Sequence, residues 1–239
     1  MSEERDTGQV QAAPSDTPGV ARGDRVNSFR TPAITVTWSR SRCTHVAECV
    51  FALPTVFQPG RRPWVDATQA TADAVARAVT RCPTGALHFE RTDGGEQEPV
   101  SETNSVRVMK LGPTHLRGRI EVLDEAGQVV LRDTRVAICR CGKSSTKPLC
   151  DNTHSAIGFR DAAEVRDAAA VKDPGAPDAM LRVQPQANGP LVITGPFTLR
   201  GTGAGPTLTG TKVALCRCGQ SANKPFCDGS HERVGFQSG

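Results

Sequence analysis

Nine cysteines fall into three groups of three along the 239-residue chain: Cys43, Cys49 and Cys82; Cys139, Cys141 and Cys150; Cys216, Cys218 and Cys227. In the second and third groups a histidine follows the last cysteine, so that C-x-C-x8-C-x3-H occurs twice, ending at His154 and His231. Three thiolates and an imidazole so close in sequence are enough soft and borderline donors for a compact metal centre. Two cysteines at i and i+2 in an extended turn can face one metal, and Cys150 with His154, or Cys227 with His231, can reach another. Asp151 and Asp228 each follow a ligand directly, where a carboxylate can accept backbone N–H bonds and fix the turn. Pro148 and Pro225 pre-set the chain entering it. An odd cysteine count fits disulfides poorly. Structural zinc prefers C-x2–4-C pairs, so C-x-C with a long gap is a poor zinc pattern.

The elements that must position these donors repeat with them. TRVAICRCGKSSTKPLCDNTHSAIGF from Thr134 aligns with TKVALCRCGQSANKPFCDGSHERVGF from Thr211 at a constant offset of 77, with 15 of 26 positions identical. The same offset maps Gly112-Pro113 onto Gly189-Pro190, so two copies of one unit are expected. The chain divides into a disordered tail (1–30), a first module (31–92), a polar linker (93–104), repeat 1 (105–161), an Ala/Asp/Pro-rich linker (162–178) and repeat 2 (179–239). AITVTWS alternates as a strand. DATQATADAVARAVTRC places Ala72, Val75, Ala76 and Val79 at helical spacing, with Asp66 or Thr68 as N-cap. VRVMKL, RGRIEVLD and QVVLRD read as strands. Gly201-Thr-Gly-Ala-Gly-Pro206 lacks a strand–helix setting and reads as a hairpin turn.

CDGSH at 227–231, within C-x-C-x2-S-x3-P-x-C-D-G-S-H, resembles the CDGSH iron–sulfur domain of NEET-type proteins. The resemblance implies a 2Fe–2S cluster held by Cys139, Cys141, Cys150 and His154, and a second held by Cys216, Cys218, Cys227 and His231. Repeat 1 departs from the motif with CDNTH: Asn152 stands for the glycine, and Asn tolerates a left-handed backbone best of the alternatives, while Thr153 keeps the hydroxyl. Family members with one motif dimerise into a β-cap over two clusters, so two motifs in one chain imply an intrachain pseudo-dimer. In the first module, C-x5-C at Cys43–Cys49 and Cys82-Pro83 resemble the divergent single-cluster ferredoxin domain. Val46 occupies the position where ferredoxins carry a middle cysteine, which leaves Cys43, Cys49 and Cys82 for a 3Fe–4S or 4Fe–4S cluster, with His45 either a fourth ligand or a surface residue. The fold class implied is α+β: a small ferredoxin-like module followed by two NEET-like repeats.

Composition narrows the function. A formal charge of +4 spread along the chain gives no nucleic-acid footprint. No run of 18 apolar residues is present to span a membrane, and the N-terminus lacks a secretory h-region, so a cytoplasmic location is expected. No phosphate-binding loop, nucleotide fingerprint or nucleophile–base set suggests an enzyme. Trp64 is expected to pack rather than relay electrons, and His88 and His115 to be exposed. The expected role is electron transfer by three clusters, with redox proteins as partners. The alternatives are cluster storage or donation to apo iron–sulfur acceptors, redox or pH sensing through the histidine ligands, and a zinc-stabilised interaction scaffold. The chain is expected to be a monomer.

Exchanging a thiolate for neutral imidazole makes a centre less negative and raises its potential. Protonation of that imidazole competes with its metal bond. His231→Cys is therefore expected to slow acid-induced bleaching of visible absorbance several-fold, and an unchanged bleaching rate would count against this chemistry.

Overall fold

The computed structural model describes residues 10–12 and 24–238, which divide into two compact units between Pro99 and Val100. In the first unit, β1 (Val10–Ala12), β2 (Arg25–Arg30), β3 (Ile34–Ser39) and β4 (Leu87–Arg91) form an antiparallel sheet in that order. Alternation along β3 buries Ile34 and Val36, which join Val56, Phe57, Val75, Val79, Leu87 and Phe89 in one core. Helix α1 (Glu48–Ala52) carries Cys49, and α2 (Ala72–Thr80) delivers Cys82 two residues beyond its end. Val75 and Val79 are the buried stripe of α2, with Ala72 and Ala76 packed beside them. The cap differs from the expected one. Thr71 Oγ1 accepts the Ala74 N–H at 3.3 Å, whereas Asp66 caps a separate 3-10 turn, Ala67–Gln69, through Thr68 N.

The tail expected over 1–30 is corrected at its end. Residues 25–30 are strand β2, whose backbone is satisfied by β3 from Val26↔Ser39 to Arg30↔Thr35. Val26 is buried and Phe29 sets its ring edge-on to Trp64, so two apolar residues among polar ones suffice to anchor it. Positions 1–9 and 13–23 lie outside the described residues. Trp64 packs as expected, against Trp38 at 5.0 Å and Phe57 at 5.9 Å between ring centres.

The second unit holds both repeats in one strand system. Repeat 1 supplies β5 (Ser105–Val108), β6 (Thr114–Leu123), β7 (Val129–Ile138) and the short helix α3 (Thr153–Ala156). A short strand β8 (Val171–Lys172) follows, and repeat 2 supplies β9 (Leu181–Pro185), β10 (Leu191–Gly201), β11 (Leu208–Leu215) and α4 (Ser230–Arg233). Each repeat is a three-stranded antiparallel meander, and each then lends its first strand to the other. β5 runs parallel to β10 with Ser105 opposite Thr198, and β9 runs parallel to β6 with Arg182 opposite Glu121. These two registers coincide under the offset of 77, so the exchange obeys a pseudo-two-fold relation, and the expected intrachain pseudo-dimer is present as this strand exchange. Inward positions Leu116, Ile120 and Val122 of β6 and Ile193, Phe197 and Leu199 of β10 form the buried face.

To pair with two partners, β6 and β10 must each change neighbour halfway, and both do so at a bulge. The bulge glycines are Gly118 and Gly195, at φ +140° and +105°, a backbone region that favours glycine. A Cβ on Gly195 would stand 1.9 Å from the Met180 carbonyl oxygen. Asn104 ties the crossing point together: its Nδ2 donates to Ala179 O at 2.9 Å and Pro196 O at 2.8 Å, and its Oδ1 accepts from Arg119 N at 3.0 Å.

Both linkers prove to be partly structural. Residue 104 belongs to the repeat core, and Glu98 folds back to accept from Phe89 N at 3.1 Å and to meet His88 Nδ1 at 3.0 Å, which corrects the expectation of an exposed His88. Over 162–178, Ala163 and Val165 are fully buried and β8 pairs with β11. The Gly-rich hairpin 201–206 explains this. Val165 N donates to Ala204 O and Gly203 N to Ala163 O, a closeness that side chains on the hairpin would block.

Gly195→Ala is expected to destabilise the second unit by on the order of 3 kcal/mol. Scanning calorimetry reads this as a lowered Tm. Gly60→Ala, where a Cβ meets nothing within 4 Å, serves as the near-neutral control.

Candidate metal centres

The repeat sites begin where β7 and β11 end. Ile138 bridges Leu149, Cys139 N donates to Pro148 O at 2.9 Å, and Cys150 N donates to Ala137 O at 2.9 Å. In repeat 2, Leu215 bridges Phe226, with Cys216 N to Pro225 O at 2.8 Å and Cys227 N to Ala214 O at 3.0 Å. These clamps hold the two cysteine-bearing segments of each site side by side. Cys139 Sγ lies 3.7 Å from Cys141 Sγ, and Cys150 Sγ lies 3.4 Å from His154 Nδ1. The equivalent separations in repeat 2 are 3.8 Å and 3.4 Å. Two thiolates on one tetrahedral metal at about 2.3 Å stand about 3.8 Å apart, and a thiolate and an imidazole slightly less. Each pair therefore has the spacing of two ligands on a single metal. Among the described residues, no three of His, Cys, Asp or Glu gather around one ion position. The donors are arranged two and two, as a binuclear centre requires.

Side chains outside the donor set hold these turns. Asp151 Oδ2 accepts from Ser145 N at 2.7 Å and Ser145 Oγ at 2.8 Å, and its Oδ1 accepts from Thr153 N at 3.0 Å. Asp228 accepts from Ala222 N at 2.8 Å and Ser230 N at 3.0 Å. Burial works to raise the Asp151 carboxyl, but these donors hold it well below the usual carboxylate range. Bonds from Ser230 do the same for Asp228. Ser144 and Ser221 donate to Leu149 O and Phe226 O, both at 2.7 Å. Asn152 takes the left-handed backbone, φ 72°, that Gly229 takes at 83° in repeat 2.

The thiols are shaped by burial and by one another. Cys139 and Cys141 act on each other: the hydrogen bond from Cys141 lowers Cys139, and the same bond pushes Cys141 up. Burial pushes Cys150 up to about 11 and also raises Cys227. Backbone amides already aim at sulfur, Asn152 N at Cys150 Sγ and Gln220 N at Cys218 Sγ. A buried donor set of this kind loses its protons when a cation binds.

Two residues of the site escaped the sequence reading, although both copies of C-R-C display them. Arg140, 5% exposed, forms an ion pair with Asp161, donates to Met109 O at 3.2 Å and lies over the Phe159 ring. Arg217, 4% exposed, pairs with Glu125 at 3.2 Å, donates to Gln186 O at 3.0 Å and lies over Phe236. Arg140 senses the thiols of both Cys216 and Cys139, so it is near both sites. The two C-x-C-G turns also touch. A Cβ on Gly142 would meet Cys218 O at 2.8 Å, and one on Gly219 would meet Cys141 O at 2.8 Å. His115 is not exposed as expected. It is largely buried, Nε2 has no hydrogen-bond partner among the described residues, and burial, then Arg107 and His154, push it down to about 4.

In the first unit, Cys43, Cys49 and Cys82 converge on one side of the core. Burial, then the neighbouring thiols of Cys82 and Cys43, push Cys49 up to about 11. Two buried donors in this unit, Thr44 Oγ1 and Trp64 Nε1, have no hydrogen-bond partner among the described residues, and the Trp38 indole is directed at the Cys43 thiol. Trp38 and Trp64 pack in the same cluster as the cysteines, and Thr44 sits in the loop between Cys43 and His45, 3% exposed. Unpaired buried donors cost free energy, and an electron-rich sulfide core is the kind of acceptor that satisfies them. The donor set thus fits an iron–sulfur cluster. His45 Nδ1 stands 3.9 Å from Cys43 Sγ, whereas Val46 is 48% exposed.

Comparison with known families agrees with this geometry. The family model described as "Iron-binding zinc finger CDGSH type" matches residues 111–155 and 188–232, and that described as "Divergent 4Fe-4S mono-cluster" matches residues 29–92. No curated protein and no solved structure matches the chain.

Asp151→Asn replaces an ionised acceptor by a neutral one. It is expected to cost roughly 2 kcal/mol of stability in the second unit, read as a lower urea midpoint, and to reduce the iron retained by that unit.

Proposed function

From a chain that carries two iron-binding CDGSH modules and a divergent 4Fe–4S module, we propose a non-enzymatic electron carrier with three clusters. Two 2Fe–2S clusters are assigned to Cys139, Cys141, Cys150 and His154 and to Cys216, Cys218, Cys227 and His231. One 4Fe–4S or 3Fe–4S cluster is assigned to Cys43, Cys49 and Cys82, with His45 as the nearest further nitrogen. The observation that carries the reading is the pairing of the donors in both repeats, each pair spaced as two ligands on one metal, which suits a binuclear cluster with two ligands on each iron. When bound, such clusters exchange single electrons between ferric and ferrous iron.

The protein's own part is to make that exchange easy. The buried C-x-C sulfurs keep water from one side of each centre, and backbone amides and buried arginines offset the charge that an added electron brings. The same strands hold the ligands before and after the exchange, so little needs to move. The partners proposed are redox proteins that approach the exposed ends of the sites. A cytoplasmic location is part of this reading, because a reducing compartment preserves nine free thiols.

A second reading, cluster donation or pH sensing, draws on one observation. The C-x-C cysteines are buried in both repeats, at 7% exposure or less, whereas His154, His231 and Cys227 are only partly covered. The histidine-bound side is thus the side from which iron could leave or a proton arrive.

Anaerobic purification followed by iron, sulfide and zinc quantitation, with EPR of the same sample, tests the assignment. Four irons are expected from the repeats and three or four from the first unit, with reduced 2Fe–2S signals beside a cubane-type signal. About three zincs and a colourless protein would overturn it. Reversible reduction with clusters retained supports the carrier, and transfer of iron and sulfide to an apo-ferredoxin supports the donor.

A further inference from the structure

The offset of 77 allows the two repeat centres to be compared residue by residue, and their surroundings differ more than their ligands do. On β6, Thr114 and His115 stand where β10 has Leu191 and Val192. Thr114 is 1% exposed and lies opposite Ile138, the residue before Cys139. Neither Thr114 Oγ1 nor His115 Nε2 has a hydrogen-bond partner among the described residues. Arg107, the cross-strand neighbour of His115, stands where β9 has Gln184. At the other centre, Glu232 stands where repeat 1 has Ser155, and its carboxylate comes within 3.8 Å of His231 Nε2.

Resting on the two-cluster reading above, we infer that the two CDGSH centres are unequal and that the centre of repeat 1 takes up the first electron. Two independent effects point the same way. The unpaired polar groups of Thr114, opposite the residue before Cys139, and of His115 stabilise the extra negative charge of a reduced centre, whereas Leu191 and Val192 offer no dipole to do so. The exposed Glu232 carboxylate, 3.8 Å from the outer nitrogen of His231, adds negative charge that favours the oxidised state in repeat 2. Exposed cations are screened and contribute little: Arg107 against Gln184 and Lys143 against Gln220 favour repeat 1, and Arg233 against Ala156 favours repeat 2. Each centre also has a buried arginine paired with a carboxylate, Arg140 with the buried Asp161 and Arg217 with the more exposed Glu125. In each step one electron from the reductant converts one ferric ion to ferrous, and no bond forms or breaks. The second unit reduced by one electron therefore holds it in repeat 1, and the repeat 2 centre is the poorer acceptor and the stronger donor.

Potentiometric titration of the full chain with dithionite, followed by EPR, tests this. Two one-electron 2Fe–2S waves are expected, separated by at least tenfold in electron affinity, which is 59 mV at one electron. His154→Cys should lower only the higher wave, and His231→Cys only the lower. Thr114→Leu with His115→Val should bring the higher wave toward the lower, and the surface change Glu232→Gln should raise the lower wave without disturbing the core. Two coincident waves, or a His154→Cys variant that moves the lower wave, would overturn the inference while the clusters stand. Loss of both 2Fe–2S signals together with low iron would overturn the cluster assignment itself, and this inference with it.

Discussion

Thiolates do not stay charged together in a protein interior unless a cation lies among them, and the second half of this molecule is organised around that constraint. Five of the six cysteines in the repeats are buried, and the sixth is partly so. Without metal, burial and mutual repulsion push most of these thiols up, and Cys139 escapes only by taking a hydrogen bond from Cys141. The fold meets the cost from several directions. Amides point at sulfur, Arg140 and Arg217 are the buried middle residues of the C-x-C turns, and Asp151 and Asp228 bind the backbone with their carboxylates rather than competing as ligands.

Strand exchange gives these sites their rigidity. A unit of roughly fifty residues has too little core to hold a ligand set by itself. By lending β5 to β10 and β9 to β6, the repeats share a single buried face, and the C-x-C-G turns then meet with no room for side chains at Gly142 and Gly219. The duplication within one chain also frees the two sites from identity. A symmetric dimer of one-motif chains must carry the same residue at both centres, whereas here Thr114 and His115 in repeat 1 are replaced by Leu191 and Val192 in repeat 2, and Ser155 by Glu232. Inequality between centres is a possibility that gene fusion opens and that a homodimer lacks.

The first unit reaches a similar end with other means. Its sheet, two short helices and aromatic cluster around Trp38 and Trp64 bring three cysteines from a loop, a helix and a helix end to one place. The donors left without partners there among the described residues, Thr44 and the Trp64 indole, are a polar lining for which an apolar core has no use.

The candidate donors of the repeats, the meander strands and the duplication were legible in the sequence because short-range chemistry writes them: C-x-C-x8-C-x3-H, alternation, and a constant offset of 77, while the pseudo-dimer followed from the family resemblance. The carboxylate turns at Asp151 and Asp228 and the left-handed Asn152 were legible for the same local reason. What only the tertiary structure decided depended on partners distant in sequence. The stretch 25–30 became a strand because β3 satisfied its backbone, and Ala163 and Val165 became buried because a glycine hairpin left space for them. His88 found Glu98, and His115 was enclosed beside His154, although neither carries a local pattern. Arg140 and Arg217 were visible as repeated letters, yet their place beside the thiols follows from long-range packing. The residue types determined which metal chemistry the chain can do, and the fold determined the surroundings in which each centre does it, because charge and burial act through space rather than along the chain.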